Sequence, residues 1–114
     1  MKITIGNTVL TATLEDNSSA RALEEQLAQG PVTIHMEDYA SMEKVGDFGF
    51  QLPTNDKRTT TKAGDLILYL GSSFVIYYDR NSWNFTRLGT IDHISAKELK
   101  QILGAGDVTV TLSL

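Results

Sequence analysis

Two uninterrupted apolar runs near the middle of the chain form the strongest pattern in the sequence. Residues 66–70 and 74–78 are rich in branched and aromatic side chains, and Gly71-Ser72-Ser73 separates them. Runs of this length, bounded by glycine, serine and aspartate, are typical of paired β-strands. A half-exposed strand alternates apolar with polar residues, and these runs do not. Both faces of the predicted hairpin are therefore expected to be covered, as in a closed or layered sheet.

Strict alternation of apolar and polar residues predicts further strands along the chain. Apolar residues occupy every second position at 3–5, 10–14, 32–36 and 108–114. This period is that of a half-buried strand. Between the first two segments, Gly6-Asn7 offers a tight turn, which predicts an opening hairpin. Residues 85–91 are expected to continue the sheet.

Two segments carry helix signals. Asn17 is placed to cap a helix that Gly30 and the following proline end. Ser95 and Glu98 have the spacing of a capping box for a second helix, which Gly104 ends. Apolar residues at helical spacing predict the buried faces: Ala20, Leu23 and Leu27 in the first helix, and Ala96, Leu99, Ile102 and Leu103 in the second.

Residues 39–58 form the long irregular part of the chain. This segment contains Gly46, Gly49 and Pro53, and one short strand is expected at residues 48–52. The basic pair Lys57-Arg58 follows Asp56 and is interpreted as part of a solvated loop. Long connections in a small domain more often carry binding residues than serve as plain linkers.

The elements add up to about seven or eight strands and two helices. The chain has 114 residues without an internal repeat or a linker, which predicts one domain over residues 1–114. Because both faces of the central hairpin are apolar, a closed barrel capped by helices fits better than an open sandwich. The predicted fold class is mainly β, a closed barrel of about eight strands with two α-helices.

Composition narrows the function classes. Hydrophobic residues make up 41% of the chain, which is enough for it to fold. The formal net charge is −4, which argues against a general nucleic-acid-binding protein. The chain has no cysteine, so disulfides, thiol nucleophiles and thiolate metal sites are excluded. No signal core and no apolar run of about 20 residues is present, which predicts a cytoplasmic protein that does not enter a membrane.

The common catalytic and cofactor patterns are missing from the sequence. There is no Gly-x-Ser-x-Gly elbow, and the glycines lack the strand–loop–helix spacing of a phosphate cradle. His35 and Glu37 share a strand face but are too few to argue a metal site, and His93 is interpreted as a turn residue. No cofactor and no metal are therefore expected, and no catalytic residue is assigned.

Polar and aromatic residues in the loops are the best candidates for a binding site. Glu43 and Lys44 stand beside a glycine in the long irregular segment. Tyr39 and Trp83 offer two aromatic walls, and Arg87 offers a cation that can grip a carbonyl or a carboxylate. Aromatic walls with a few polar groups are the usual composition of a pocket for a small ligand or a peptide. The competing interpretation gives these residues structural roles on the barrel surface.

Short segments in a fixed order give the chain a family resemblance. They are Asp16-Asn17 with Ala20, Met36-Glu37-Asp38-Tyr39, Glu43-Lys44-Val45-Gly46, Leu52-Pro53-Thr54, Gly64-Asp65, Tyr77-Tyr78, Thr86-Arg87-Leu88-Gly89 and Ile91-Asp92. In this order and over essentially the whole chain, the sequence resembles the bacterial cyclophilin-like domain family of small stand-alone proteins. The resemblance implies a cyclophilin-type barrel in a family of generally unassigned function.

The resemblance does not extend to the prolyl isomerase motif. Cyclophilins that catalyse prolyl isomerisation carry Phe-x-Arg followed by Phe-x-x-x-Gln-x-Gly-Asp. This chain has only Phe48-Gly49-Phe50-Gln51, with no arginine at the matching spacing before it and no Gly-Asp after it. No isomerase residue is therefore carried over.

Three functions stay open at this point, and the sequence does not decide whether the protein is an enzyme. The first is a module that binds a small molecule or an extended peptide, with Tyr39, Glu43, Lys44, Trp83 and Arg87 as candidate ligand-binding residues. The second is a weak isomerase of proline-containing peptides, with Arg87 as donor and Phe48, Phe50 or Trp83 as apolar wall. The third is a structural module that pairs through an exposed edge strand. Both a monomer and a homodimer are compatible with the sequence.

Overall fold

A computed structural model describes residues 1–114 and contains nine strands and two helices. The strands are β1 (Lys2–Ile5), β2 (Thr8–Leu14), β3 (Val32–Tyr39), β4 (Glu43–Asp47), β5 (Lys57–Thr60), β6 (Asp65–Tyr69), β7 (Ser73–Tyr77), β8 (Ser82–Ile91) and β9 (Val108–Ser113). The helices are α1 (Ser18–Ala28) and α2 (Ala96–Leu103). Neither helix is long and apolar enough to cross a membrane.

The strands form one antiparallel sheet that closes on itself. Their order is β2-β1-β9-β3-β4-β7-β6-β8-β5, and the additional pairing of β2 with β8 closes the first eight of them into a barrel. The remaining strand, β5, is the last in this order, lies outside the barrel and pairs only with the first half of β8. The predicted fold, a closed barrel of about eight strands with two helices, is confirmed.

The central hairpin of β6 and β7 buries both of its faces, as its sequence predicts. Leu66, Leu68, Phe74 and Ile76 point into a 20-residue core inside the barrel. The alternate residues of the same strands point outward into a second, four-residue cluster: Ile67, Val75 and Tyr77, completed by Phe85 of β8. A strand that is buried on both faces needs no polar alternation.

Both helices begin at the predicted caps. The Asn17 side chain accepts a hydrogen bond from the Ala20 amide at 2.8 Å, and the Ser95 hydroxyl accepts one from the Glu98 amide at 3.1 Å. Each cap satisfies an amide that the helix itself leaves unpaired. The leucines at the predicted buried positions then pack into the barrel core: Leu23 and Leu27 of α1, and Leu99 and Leu103 of α2.

The segment at residues 39–58 differs from its prediction. The strand expected at residues 48–52 is absent: Phe48 and Leu52 are buried, and the Phe48 ring packs 5.1 Å from that of Phe74. Strands form on either side instead, as β4 and β5. Lys57-Arg58 is thus part of a strand and not of a loop, although both residues are exposed. Pairing with β3 and β7 imposes the strand conformation on β4, whose Glu-Lys-Val-Gly-Asp sequence has low strand propensity.

Candidate binding groove on the outer wall of the barrel

A cavity of about 380 Å³ lies on the outer wall of the barrel, above the second hydrophobic cluster. Eight of its nine lining residues come from β3, β4, β6, β7 and the first half of β8, and the ninth, Asn81, directly precedes β8. We refer to it as the aromatic groove, lined by Tyr39, Glu43, Val45, Tyr69, Val75, Tyr77, Asn81, Trp83 and Phe85. Strand side chains alternate between faces, so neighbouring strands present these residues to one side of the sheet.

The floor of the aromatic groove is formed by packed aromatic rings. The Tyr77 and Phe85 ring centroids are 5.6 Å apart at an interplanar angle of 54°, and the exposed Tyr69 ring at the rim meets Phe85 edge-on at 6.3 Å. Tilted and edge-to-face contacts at these distances are favourable for aromatic pairs. The floor is therefore a fixed surface and not a set of loose side chains.

The rim of the aromatic groove is apolar and exposed. Only six large hydrophobic residues of the protein are exposed, and Tyr39, Tyr69 and Trp83 are three of them. Tyr39 is 64% exposed and Trp83 is 57% exposed, although both are large aromatic residues. Scattered exposed hydrophobic residues are ordinary, whereas a cluster around a concavity marks a surface that contacts a partner or a ligand.

Glu43 supplies the one charged side chain of the aromatic groove. It begins β4 opposite Tyr77 of β7, and only 8% of its surface is exposed. Burial raises the pKa of the Glu43 carboxyl, the neighbouring Tyr77 hydroxyl lowers it, and the Asp38 carboxylate raises it. No lysine, arginine or histidine lines the aromatic groove. The Glu43 carboxylate thus lies in an apolar setting without a basic partner.

Tyr77 and Asn81 form the rest of the polar end of the groove. The Asn81 side-chain amide donates to the Tyr77 hydroxyl at 3.2 Å. Burial is the main cause that raises the pKa of Tyr77 to about 12, the hydrogen bond from Asn81 lowers it, and the Glu43 carboxylate adds to the rise. Tyr77 therefore keeps its proton at neutral pH and remains a neutral hydrogen-bonding group.

Lys44 faces the opposite side of the sheet from Glu43. Its side chain is fully buried, with Nζ 3.1 Å from Asp38 Oδ1 and 2.6 Å from the Gly106 carbonyl oxygen, to which it donates. The Tyr78 hydroxyl also donates to Asp38. This hydrogen bond and the lysine lower the pKa of Asp38, although burial opposes them. Lys44 therefore ties the loop after α2 to the barrel and does not reach the aromatic groove.

Arg87 lines a different, polar cavity. Its Nη2 atom lies 3.1 Å from Oδ2 of Asp65, a fully buried carboxylate that also binds Lys62 at 2.8 Å. The second cavity has the same volume of about 380 Å³ but no apolar lining: Glu15, Asp16, Asn17, Asn55, Asp56, Lys57 and Arg87. Arg87 thus acts as the ion-pair partner of a buried acid.

The residues named for prolyl isomerisation do not share a cavity. Phe48 belongs to the barrel core, Trp83 lines the aromatic groove and Arg87 lines the polar cavity. The two histidines are also separate: His35 is exposed on β3 with its Nδ1 atom 2.9 Å from the Thr109 hydroxyl, and His93 is an exposed turn residue with a φ of 52°. No group of three side chains is arranged to hold a metal ion.

The structure thus brings together Tyr39, Glu43 and Trp83 among the five candidate residues. Sequence reasoning missed their neighbours Tyr69, Tyr77 and Phe85. The two tyrosines could have been found from the alternation of side chains between the two faces of the central hairpin. Tyr69 falls on the same face as Ile67, and Tyr77 on the same face as Val75, which is the face turned away from the barrel core.

Comparisons with known proteins agree with this architecture. None of the curated proteins matches the sequence of this chain. The structure is similar to that of McbB in complex with tryptophan, with a TM-score of 0.58 at 13% sequence identity. The match covers 96% of this chain and 43% of McbB, so the chain spans less than half the length of McbB and shares its fold over that part. The sequence model of the Cyclophilin-like family matches residues 3–113, and the protein therefore belongs to the Cyclophilin-like family.

Proposed function

We propose that this protein binds a small molecule in the aromatic groove. The observation that carries the proposal is a concave apolar surface with one convergent polar end: seven of nine lining residues are hydrophobic, and Glu43 and Asn81 are the others. Small-molecule sites commonly combine an apolar wall of this kind with a few placed polar groups in cavities of roughly 300–1,000 Å³.

The exposure of the rim supports the same proposal. A ligand that covers Tyr39 and Trp83 would remove the two most exposed aromatic side chains of the chain from water. The floor needs no rearrangement, because its rings already pack on one another. McbB, which has a similar fold over this length, was solved with tryptophan, so tryptophan belongs among the first molecules to be tested.

Binding can be tested through Trp83, the only tryptophan of the chain. Isotope-labelled protein would be titrated with a library of small aromatic and aliphatic fragments, including tryptophan, and followed by proton–nitrogen NMR. Fragments that do not absorb with tryptophan would be followed by Trp83 fluorescence as well. We expect shifts that cluster on the strands around the groove. Shifts confined to the polar cavity at Asn55 and Asp56 would contradict the proposal.

A matched pair of variants separates the groove from unspecific contact. Tyr39→Ala removes a rim ring and should weaken a bound fragment by about fivefold, the effect of roughly 1 kcal/mol. Val9→Ala is the control, because Val9 is 57% exposed on β2 and does not line the groove. Equal affinities of the two variants would show that the fragment binds elsewhere. Binding of extended peptides and not of small molecules would redirect the proposal to a peptide ligand.

A further inference from the structure

The aromatic groove contains one carboxyl group, that of Glu43, and no basic side chain beside it. Glu43 is its one carboxylic acid, and the nearest basic residue in sequence, Lys44, pairs with Asp38 on the opposite face. A carboxylate taken out of water is unfavourable unless a partner replaces its hydration. In the free protein, the lining of the aromatic groove contains no basic side chain that could be this partner.

The rings around Glu43 favour the same kind of partner. Five of the nine lining residues are aromatic: Tyr39, Tyr69, Tyr77, Trp83 and Phe85. The face of an aromatic ring carries the negative part of its quadrupole and attracts cations, most strongly for tryptophan. The Glu43 carboxylate and the ring faces therefore both attract a positively charged group on a bound ligand.

We infer that the ligand of the aromatic groove carries an alkylammonium group, held by the Glu43 carboxylate and the surrounding ring faces. This inference rests on the proposed function and adds to it the chemical class of the ligand. The ammonium group lies at the polar end, next to Glu43 and Asn81. The organic part of the ligand covers the apolar rings, of which Trp83 and Tyr39 form the exposed rim.

Other charged ligands fit the groove less well. An anion would meet Glu43 without any basic side chain to offset the repulsion. A metal ion would find a single carboxylate where it needs several ligands, and no group of three potential ligands exists in the structure. The overall charge of −4 also favours the approach of a cation.

Three probes of similar shape test the inference: phenethylammonium, its neutral analogue 2-phenylethanol, and the anion 3-phenylpropionate. None of them absorbs where tryptophan is excited, so Trp83 fluorescence and NMR can both be used. We expect the cation to bind about tenfold more tightly than the alcohol, with the anion the weakest of the three. Equal affinity of cation and alcohol would overturn the inference and leave the proposed function standing.

Glu43→Gln is the decisive variant, because it keeps the shape of the side chain and removes its charge. We expect it to abolish the preference for the cation while the alcohol binds as before. Glu25→Gln on the exposed surface of α1 makes the same change in net charge and should leave the preference intact. A preference that survives Glu43→Gln would overturn the role of Glu43. If none of the three probes shifts the NMR resonances of the groove at millimolar concentration, the inference is overturned. If the fragment screen also finds no binding, the proposed function is overturned as well.

Discussion

Glu43 and Lys44 are consecutive in the chain, yet their charged groups lie on opposite faces of β4. Glu43 lines the aromatic groove outside the barrel, whereas Lys44 Nζ is enclosed 3.1 Å from Asp38. Alternation along a strand separates them, so the lysine cannot form an ion pair with its neighbour. The lysine therefore has a structural role, and the glutamate is left as the acidic group of the groove.

We expect Lys44→Met to destabilise the fold by about 2 kcal/mol, because it leaves Asp38 and the Gly106 carbonyl without their buried donor. Chemical denaturation followed by circular dichroism measures the change. Lys97→Met on the exposed surface of α2 is the control and should stay within about 0.5 kcal/mol of the parent. A Lys44→Met protein as stable as that control would contradict the structural role of the lysine.

Glu43→Gln should stabilise the protein at neutral pH. Burial raises the pKa of Glu43, so the folded protein holds the carboxyl proton more tightly than the unfolded chain does. The stability from this group is present below the usual pKa of a glutamate and is lost as the pH rises through the raised value. Thermal unfolding at pH 7 should therefore give the variant the higher Tm, and the difference should shrink in acid. A lower Tm for the variant at pH 7 would contradict this account, and Glu25→Gln again controls for net charge.

Arg87→Ala should reduce stability by about 2 kcal/mol, because Arg87 is one of the two cations that pair with the buried Asp65. Ligand affinity in the aromatic groove should not change, since Arg87 lies outside its lining. Unfolding measurements and the fragment titration of the same variant check both statements. A loss of affinity without a loss of stability would return Arg87 to the binding site.

Gly89→Ala should destabilise the barrel by about 3 kcal/mol. A Cβ atom at this position would overlap the Thr13 carbonyl oxygen and lie 3.1 Å from the Leu14 Cα, at the seam where β8 pairs with β2. Backbone atoms in a closed ring cannot move aside easily. Gly106→Ala is the control, because nothing lies within 4 Å of its added Cβ. Equal stability of the two variants would argue against a tight closure of the barrel.

Alkaline pH should unfold the protein through its buried tyrosines. Burial is the largest cause that raises the pKa of Tyr77 to about 12 and raises that of Tyr78. An unfolded tyrosine titrates near 10, so this stability is complete below about pH 10 and is lost as the pH rises toward about 12. Tyrosinate absorbance and circular dichroism should change together in this range. Ionisation of both tyrosines while the fold persists would contradict the prediction.

Local signals in the sequence were sufficient for the elements that depend on near neighbours. The caps at Asn17 and Ser95 satisfy amides three residues away, and the central hairpin is marked by its own composition. The short strand β4 was missed because its Glu-Lys-Val-Gly-Asp sequence favours a loop, and only pairing on both sides makes it a strand. The prediction of a strand at residues 48–52 was wrong for the opposite reason. Its apolar residues Phe48 and Leu52 are buried in the core, but the segment does not pair with a neighbouring strand.

The sequence by itself determined that a barrel with two capped helices forms, because alternation, apolar runs and capping residues act over a few positions. Only the tertiary structure decided which of the candidate binding residues lie together. It brought Tyr39, Glu43 and Trp83 onto the same wall and paired Arg87 with Asp65, 22 residues away in the chain. Alternation along one strand shows which of its side chains share a face, but which strands lie side by side depends on strand order and register across the closed sheet. These are properties of contacts between distant segments, and no local pattern encodes them.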